Sequence, residues 1–213
     1  MKIQNRDLKK YVVELVGTFS LTLAVSLVLT SQSVAQIAGF IAPLIAAFTL
    51  ALFVYTVSHV SGTHINPAVT LGAWSIGKIS RQDVVGYLVA QFAGAAASVL
   101  FVTKGLDVVL QPAQVIIGWQ VMVWVMLAEA VGTALFVFGI SAVVYGKVSD
   151  AAKGWVIGMS LFLGILLASG LGSNGILNPA VAFGVNSFSW MYIIGPILGS
   201  VAGMQVYKYL AAN

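Results

Sequence analysis

Two short stretches of nearly identical sequence decide the fold of this chain: Ile65-Asn66-Pro67-Ala68-Val69 and Leu177-Asn178-Pro179-Ala180-Val181. Their asparagines are 178 − 66 = 112 residues apart. A second matched pair precedes them, Glu14-Leu15-Val16-Gly17-Thr18 and Glu129-Ala130-Val131-Gly132-Thr133, at a separation of 129 − 14 = 115 residues. The same elements recur in the same order, which indicates an internal repeat with halves at approximately 8–105 and 119–213.

The composition indicates a membrane protein. Of 213 residues, 60% are apolar and only 8% are charged, which is too few charges for the surface of a soluble domain. Six apolar segments reach the roughly 20 residues that a helix needs to cross a bilayer. They are 11–29, 38–60, 84–103, 119–145, 154–171 and 190–210. These segments do not alternate polar and apolar residues as the strands of a membrane barrel do, so we expect an all-α integral membrane protein.

The number of spans sets the symmetry of the repeat. Three spans in each half is an odd number, so the second half enters the membrane upside down, as an inverted repeat. Each Asn-Pro-Ala stretch follows a glycine-containing segment and opens an apolar run too short to span the bilayer. We therefore expect one transmembrane channel domain, residues 1–213, with two re-entrant half-helices that meet from opposite sides.

Charge placement predicts the orientation. The basic residues at the ends of the chain and in alternate loops would share one side of the membrane, and only Lys104 would face the other. They are Lys2, Arg6, Lys9, Lys10, Lys78, Arg81, Lys147, Lys153 and Lys208. The positive-inside rule then places both termini in the cytoplasm, and we expect the cell membrane with its lipids, rather than a nucleic acid, as the surroundings. Cysteine is absent, so thiolate metal sites and disulfides are unavailable, and we expect no cofactor.

The Asn-Pro pairs suit the start of a half-helix inside the membrane. Proline at the first helical position loses nothing, and Asn66 and Asn178 before it can cap the helix with their side-chain oxygens. Each side chain keeps an NH2 group as a donor for a water or hydroxyl oxygen. The non-helical residues before each cap must be buried or line a wet cavity, so their carbonyls become pore acceptors. Those residues are Gly62, Thr63 and His64 in the first half, and Asn174, Gly175 and Ile176 in the second.

Residues 61–70, Ser-Gly-Thr-His-Ile-Asn-Pro-Ala-Val-Thr, resemble the first pore loop of the aquaporin family almost residue for residue. Gly195-Pro196 and Ala90-Gln91 also match the family pattern. The resemblance implies a passive channel for water or small uncharged solutes, not an enzyme, and a homotetramer. It also implies that Glu14 and Glu129 accept hydrogen bonds from the pore loop of their own half.

The resemblance also locates an outer selectivity filter, where this chain departs from the family. The position that usually carries an arginine is Val181, the position that is often aromatic is Ala46, and Gly175 takes a third. The fourth position, commonly histidine, falls on Ile165 or Leu166 because the loop alignment leaves one residue of ambiguity. We expect a filter that is wider and less polar than that of a strict water channel.

Two alternatives remain open at this point. A proton-coupled transporter also uses inverted repeats and broken helices, and Glu14 and Glu129 would then be its proton carriers. A non-conducting structural membrane protein would add no permeability to a vesicle. His64 as a metal ligand is disfavoured, since no second histidine, cysteine or carboxylate lies at ligand spacing.

Overall fold

The computed structural model describes residues 5–111 and 118–211, with side chains from residue 8 onward. Within these ranges the chain forms six long α-helices and two short ones, besides a 3-10 helix at Gln32–Ile37 and a π-helical turn at Phe101–Gly105. The α-helices are α1 (Asn5–Thr30), α2 (Ala38–Ser61), α3 (Pro67–Ser75), α4 (Arg81–Leu100), α5 (Trp119–Val144), α6 (Lys153–Gly170), α7 (Pro179–Gly184) and α8 (Trp190–Ala211). The predicted fold class is confirmed, and each predicted span matches a long helix. Lys2 and the side chain of Arg6, used above for orientation, lie outside the described residues.

Hydropathy separates one long helix from the others. Among the described residues, five helices are long and apolar enough to cross a membrane. The helix left out is α8, a 22-residue helix whose apolar character is diluted by glycines, Gln205 and Lys208. Pro196 lies inside it, a residue that membrane helices tolerate because neighbours satisfy the freed backbone groups. The sixth predicted span is therefore present as a helix but is less apolar than its counterparts.

The two halves pack as an interlocked pair. In the first half α1 packs against α2 and α4, and in the second half α5 packs in the same way against α6 and α8. The short helices exchange partners, since α3 lies against α8 and α7 lies against α4. Each half-helix is therefore held by the last long helix of the opposite half. The exact limits of the two repeats, 8–105 and 119–213, stay a prediction.

Glycines allow α5 and α8 to cross closely. Gly195, Gly199 and Gly203 of α8 face the backbone carbonyls of Met126, Ala130 and Ala134 of α5. A Cβ atom at Gly203 would lie only 2.7 Å from the carbonyl oxygen of Ala134, and one at Gly199 would overlap that of Ala130. Small residues of this kind are how membrane helices approach each other without a hydrophobic driving force.

Gly199→Ala is expected to lower the thermal unfolding midpoint of the purified protein in detergent. The added methyl group overlaps the Ala130 carbonyl, and overpacking of this type costs about 1–3 kcal/mol. Gly39→Ala is the matched control, because a Cβ atom there meets nothing within 4 Å. Equal midpoints for the two variants would show that the α5–α8 crossing is not as tight as the structure has it.

Candidate functional site

The two Asn-Pro-Ala segments begin α3 and α7 as capped half-helices. The side-chain oxygen of Asn66 accepts from the backbone N–H of Ala68 at 2.8 Å. The side-chain oxygen of Asn178 accepts from Ala180 at 3.0 Å and from Val181 at 3.3 Å. Proline occupies the first turn of both helices, where a missing N–H removes no intrahelical bond. Both asparagines are buried in the middle of the molecule.

Each capping asparagine also donates a hydrogen bond to the pore loop of the opposite half. Asn66 donates from Nδ2 to the carbonyl oxygen of Leu177 at 2.9 Å, and Asn178 donates from Nδ2 to that of Ile65 at 3.0 Å. Each amide has two N–H groups, so one is used in this bond and one is left. Sequence reasoning assigned the side-chain oxygens of both asparagines to the helix caps and their NH2 groups to the solute alone. The structure shows in addition that they join the two half-helix ends.

Glu14 lies beneath the first pore loop and accepts several hydrogen bonds from it. Its carboxylate receives the backbone N–H of His64 at 2.9 Å and of Ile65 at 2.6 Å, and the hydroxyl of Ser61 at 2.7 Å. Gln91 of α4 adds a side-chain N–H at 2.8 Å. The glutamate is fully buried, and every donor it receives is supplied by the loop or by the helices around it.

Glu129 occupies the equivalent position in the second half. Its carboxylate accepts from the backbone N–H of Ile176 at 2.9 Å and of Leu177 at 2.7 Å, and from the hydroxyl of Ser173. Ser61 and Ser173 are separated by 173 − 61 = 112 residues, the same spacing as the two asparagines. That spacing was available in the sequence, but sequence reasoning gave neither serine a role.

Left-handed backbone conformations turn the loop N–H groups toward the glutamates. Ile65 has φ 39° and Leu177 has φ 55°, while Thr63 and Gly175, at the matching earlier position, have φ 52° and 63°. Successive N–H groups in such alternating conformations form a concave site for an anion. Holding a non-glycine residue in this region costs of order 1–3 kcal/mol, which the buried carboxylates help to offset. The N–H groups are thereby directed away from the cavities described next.

A cavity of about 680 Å³ opens at the end of the bundle where α1 ends at Thr30 and α2 begins at Ala38, beside Leu110 in the irregular segment that follows α4. We call it the outer cavity. It reaches both asparagines, and the predicted carbonyl residues His64, Asn174, Gly175 and Ile176 line it. Of the predicted filter residues, Ala46, Ile165, Gly175 and Val181 line it as well. Leu166, the alternative to Ile165, is not among its lining residues, so the cavity favours Ile165 for this predicted position.

A second cavity, of about 620 Å³, opens at the opposite end of the molecule, and we call it the inner cavity. Gly62, Thr63 and His64 line its deep part, while Lys78, Asp150 and Lys153 lie at its mouth. His64 lines both cavities, so the first pore loop lies where they approach each other. The two cavities therefore approach each other from opposite ends of the helical bundle.

The comparisons with known proteins agree with this geometry. The sequence profile of the family described as Major intrinsic protein matches residues 2–207. The chain belongs to this family. The resemblance found in the sequence is confirmed, and the protein is a multi-pass membrane channel for water or small solutes rather than an enzyme.

Individual members of the major intrinsic protein family show the same relationship. Aquaporin AqpM of Methanothermobacter thermautotrophicus is 35% identical over 188 residues, covering 78% of this chain and 74% of the relative. Aquaporin Z of Bradyrhizobium diazoefficiens is 30% identical over 232 residues, covering 96% of this chain and 94% of the relative. The X-ray structure of the aquaglyceroporin from Plasmodium falciparum superposes with a TM-score of 0.74 over 97% of both chains. At 18% identity this last similarity concerns the fold alone.

His64 has a fixed environment inside this channel fold. Its Nδ1 atom lies 3.2 Å from the hydroxyl of Thr70, and its ring meets the ring of Tyr87 edge-on, with centroids 5.2 Å apart. Tyr87 in turn donates its hydroxyl to the carbonyl of Ser61 at 2.6 Å. Within residues 5–111 and 118–211 no group of three or more His, Cys, Asp or Glu side chains is arranged to hold a metal ion.

Proposed function

We propose that each chain forms one passive pore, which runs from the outer cavity past Asn66 and Asn178 to the inner cavity. The observation that carries this proposal is the placement of both amides at the deep end of the outer cavity, each with an N–H beyond the one bonded to the opposite loop. A water or hydroxyl oxygen there would accept from these amides. The positive ends of two half-helix dipoles would disfavour a cation at the same point.

The pore loops supply the complementary acceptors. The backbone N–H groups of His64 and Ile65 are bonded to Glu14, and those of Ile176 and Leu177 are bonded to Glu129. Because these N–H groups are occupied, the carbonyls of the loop residues are the hydrogen-bonding groups that a solute on the cavity side can bind. They belong to Gly62, Thr63 and His64 in the first half, and to Asn174, Gly175 and Ile176 in the second. A hydrated solute could exchange water for these carbonyls as it moves.

We propose that the outer filter of this pore is wide and lined by apolar residues. Its walls are Ala46 of α2, Ile165 of α6, Val181 of α7 and the backbone at Gly175. None of these residues carries a charge or a side-chain hydrogen-bonding group. The filter therefore excludes solutes by size less strictly than one narrowed by an arginine, and we expect solutes larger than water to pass as well.

We further propose that both termini lie in the cytoplasm of the cell. Lys10 of α1 forms an ion pair with Asp83 of α4 at 2.5 Å, and Lys78 lies 4.9 Å from the ring centroid of Tyr145. Basic residues from the ends of several helices are thus gathered at the inner cavity, as the positive-inside rule predicts for a cytoplasmic face. The homotetramer implied by the family remains a proposal, which the mass of the purified complex would test.

The alternative of proton-coupled transport needs a titratable group open to the solute path. Glu14 and Glu129 are fully buried beneath the loops, and neither lines the outer or the inner cavity. Their hydrogen bonds to the loop N–H groups support a fixed structural role. We therefore favour the passive pore over the transporter.

Proteoliposomes test the pore directly. The parent protein should raise the osmotic water permeability above that of empty vesicles, and Asn66→Asp should lower the flux of neutral solutes or admit cations. The new carboxylate would have no N–H to donate to the solute. It would also set an acceptor oxygen against the carbonyl of Leu177, where Asn66 now places an N–H donor. Asn186→Asp is the matched control, since it also replaces an Nδ2 that donates to a backbone carbonyl, that of Leu110 at 3.3 Å, but at an exposed position beyond the end of α7. A parent protein that adds no permeability would favour the non-conducting alternative.

A further inference from the structure

A row of hydroxyl-bearing residues runs along α1 from the buried Glu14 toward the outer cavity. Thr18, Thr22 and Ser26 follow the glutamate at intervals of four residues, so they lie on one face of the helix. Each of the three is at most 1% exposed. None of their hydroxyls has a hydrogen-bond partner among the described residues. The row ends at Ser26, which lines the outer cavity.

The neighbouring helix α4 adds two more unpartnered polar atoms to this region. Gln91 donates from Nε2 to Glu14 at 2.8 Å, and Gly94 packs against the backbone of α1, so this face of α4 lies on α1. Ser98 follows Gly94 by one turn on the same face and is fully buried. The hydroxyl of Ser98 and the Oε1 oxygen of Gln91 have no partner within residues 5–111 and 118–211. Of the eight buried side chains there with such an atom, five therefore lie on α1 and α4.

The protein itself does not supply the missing partners. Glu14 already accepts four hydrogen bonds, about the number that a carboxylate accommodates. The Oε1 oxygen of Gln91 is an acceptor and needs a donor. A Cβ atom at Gly184 of α7 would overlap the methyl group of Thr22, so the methyl group rather than the hydroxyl is pressed against α7. Buried polar atoms without partners are costly, which favours a small bound molecule at this place.

The second half of the repeat lacks this feature. The positions 115 residues further along the chain are Thr133, Val137 and Ser141. Thr133 donates its hydroxyl to the carbonyl of Glu129 at 2.7 Å, and Ser141 donates to that of Val137 at 2.8 Å. Both hydroxyls are thus satisfied within α5, and the third position carries no hydroxyl. The unpartnered row is specific to the first half.

We propose that α1 and α4 hold a short file of ordered water molecules, which begins at the outer cavity beside Ser26 and ends near Thr18 and Gln91. Water fits these groups because each molecule both donates and accepts and binds about two to four polar partners. The file is blind, since Glu14, with its acceptor sites filled, lies at the inner end. It is therefore a binding site beside the solute path and does not depend on the proposed pore function. Because α7 packs on both α1 and α4, the bridging waters support the second half-helix.

A crystal structure of the parent protein, at a resolution that shows ordered water, tests the site directly. We expect a chain of waters between α1 and α4, with water oxygens about 2.5–3.2 Å from the side-chain oxygens of Thr22, Ser98 and Gln91. Hydroxyls turned to the carbonyls four residues earlier, as in α5, with no water between the two helices would overturn the proposal.

Thr22→Val tests the same site by stability. The variant keeps the methyl group on α7 but removes a partner of the waters, so the unfolding midpoint in detergent should fall by about 2–4 °C, as for loss of roughly one net hydrogen bond. An unchanged or raised midpoint, as expected for a hydroxyl that is buried dry, would overturn the proposal.

Thr133→Val is the matched control, because its hydroxyl bonds only to its own helix and its loss should shift the midpoint less. Equal falls in Thr22→Val and Thr133→Val would assign the effect to loss of a helix-bonded hydroxyl and would also overturn the water file. Should Thr22→Val be recovered poorly, Ser98→Ala removes the partner on α4 and should lower the midpoint in the same way. Failure of these tests leaves the pore function untouched, since none of them measures flux.

Discussion

Glu129→Leu is expected to abolish stable folding of the protein in detergent. The substitution leaves the N–H groups of Ile176 and Leu177 and the hydroxyl of Ser173 without the acceptor they have now. A buried donor without a partner costs about 1–3 kcal/mol, so three of them cost about 3–9 kcal/mol. A loss of that size is comparable with the whole stability of many proteins. The strained loop at Leu177 would also lose the carboxylate that favours its conformation.

Size-exclusion profiles and thermal unfolding in detergent measure this effect. Glu129→Gln keeps one acceptor oxygen and the side-chain size, so its unfolding midpoint should lie between those of the parent and Glu129→Leu. Asp150→Leu controls for loss of a carboxylate as such, because the Asp150 side chain is almost fully exposed and only pairs with Lys153 at 3.6 Å. A Glu129→Leu protein as stable as the parent would mean that the second pore loop does not depend on the carboxylate.

Glu129→Gln, together with the equivalent variant Glu14→Gln, distinguishes the pore from the proton-coupled transporter. In a passive pore, solute flux in Glu129→Gln and Glu14→Gln should track the amount of folded protein and should not respond to an imposed pH gradient. A transporter that uses these groups would show gradient-driven uptake in the parent and lose it in both variants. Uptake against a solute gradient in the parent would by itself contradict the passive pore.

Much of the fold could be predicted because membrane spans are set by length and hydropathy, which are local properties of the sequence. The half-helices could be predicted because Asn66-Pro67 and Asn178-Pro179 are start signals that depend on neighbouring residues alone. The repeat then placed the two signals in opposite halves. Only the ends of the helices needed correction; α1, for example, begins at Asn5 instead of near residue 11.

The parts that escaped prediction depend on contacts between distant segments. The bonds from Asn66 to Leu177 and from Asn178 to Ile65 exist only when the two halves meet, and no local pattern marks a backbone carbonyl as a partner. The choice between Ile165 and Leu166 depended on a loop whose length shifts the alignment by one residue. A shift of one residue rotates a helix position by about 100°, enough to move a side chain off the cavity wall.

Val181→Arg is expected to convert the filter into a narrower and more polar one. Val181 lies on α7 with its side chain at the wall of the outer cavity, whose volume of about 680 Å³ gives a longer side chain room to extend. The guanidinium brings five donors and a fixed charge to a filter whose other side chains, those of Ala46 and Ile165, are apolar. Loop carbonyls such as that of Gly175 are acceptors for it. Glycerol should then lose permeability more than water does, and any cation or proton leak should decline.

The observable is the glycerol-to-water permeability ratio in proteoliposomes with matched protein content, because misfolding would lower both fluxes together. We expect the ratio to fall by about tenfold, which corresponds to about 1.4 kcal/mol of added barrier for the larger solute. Val185→Arg places the same charge one turn farther from the asparagines on the same cavity wall, so its ratio should change much less. If Val181→Arg folds normally and keeps the parent ratio, Val181 does not line the constriction, and the wide apolar filter would have to be abandoned. A fall of equal size in both variants would instead assign the effect to charge in the outer cavity as a whole.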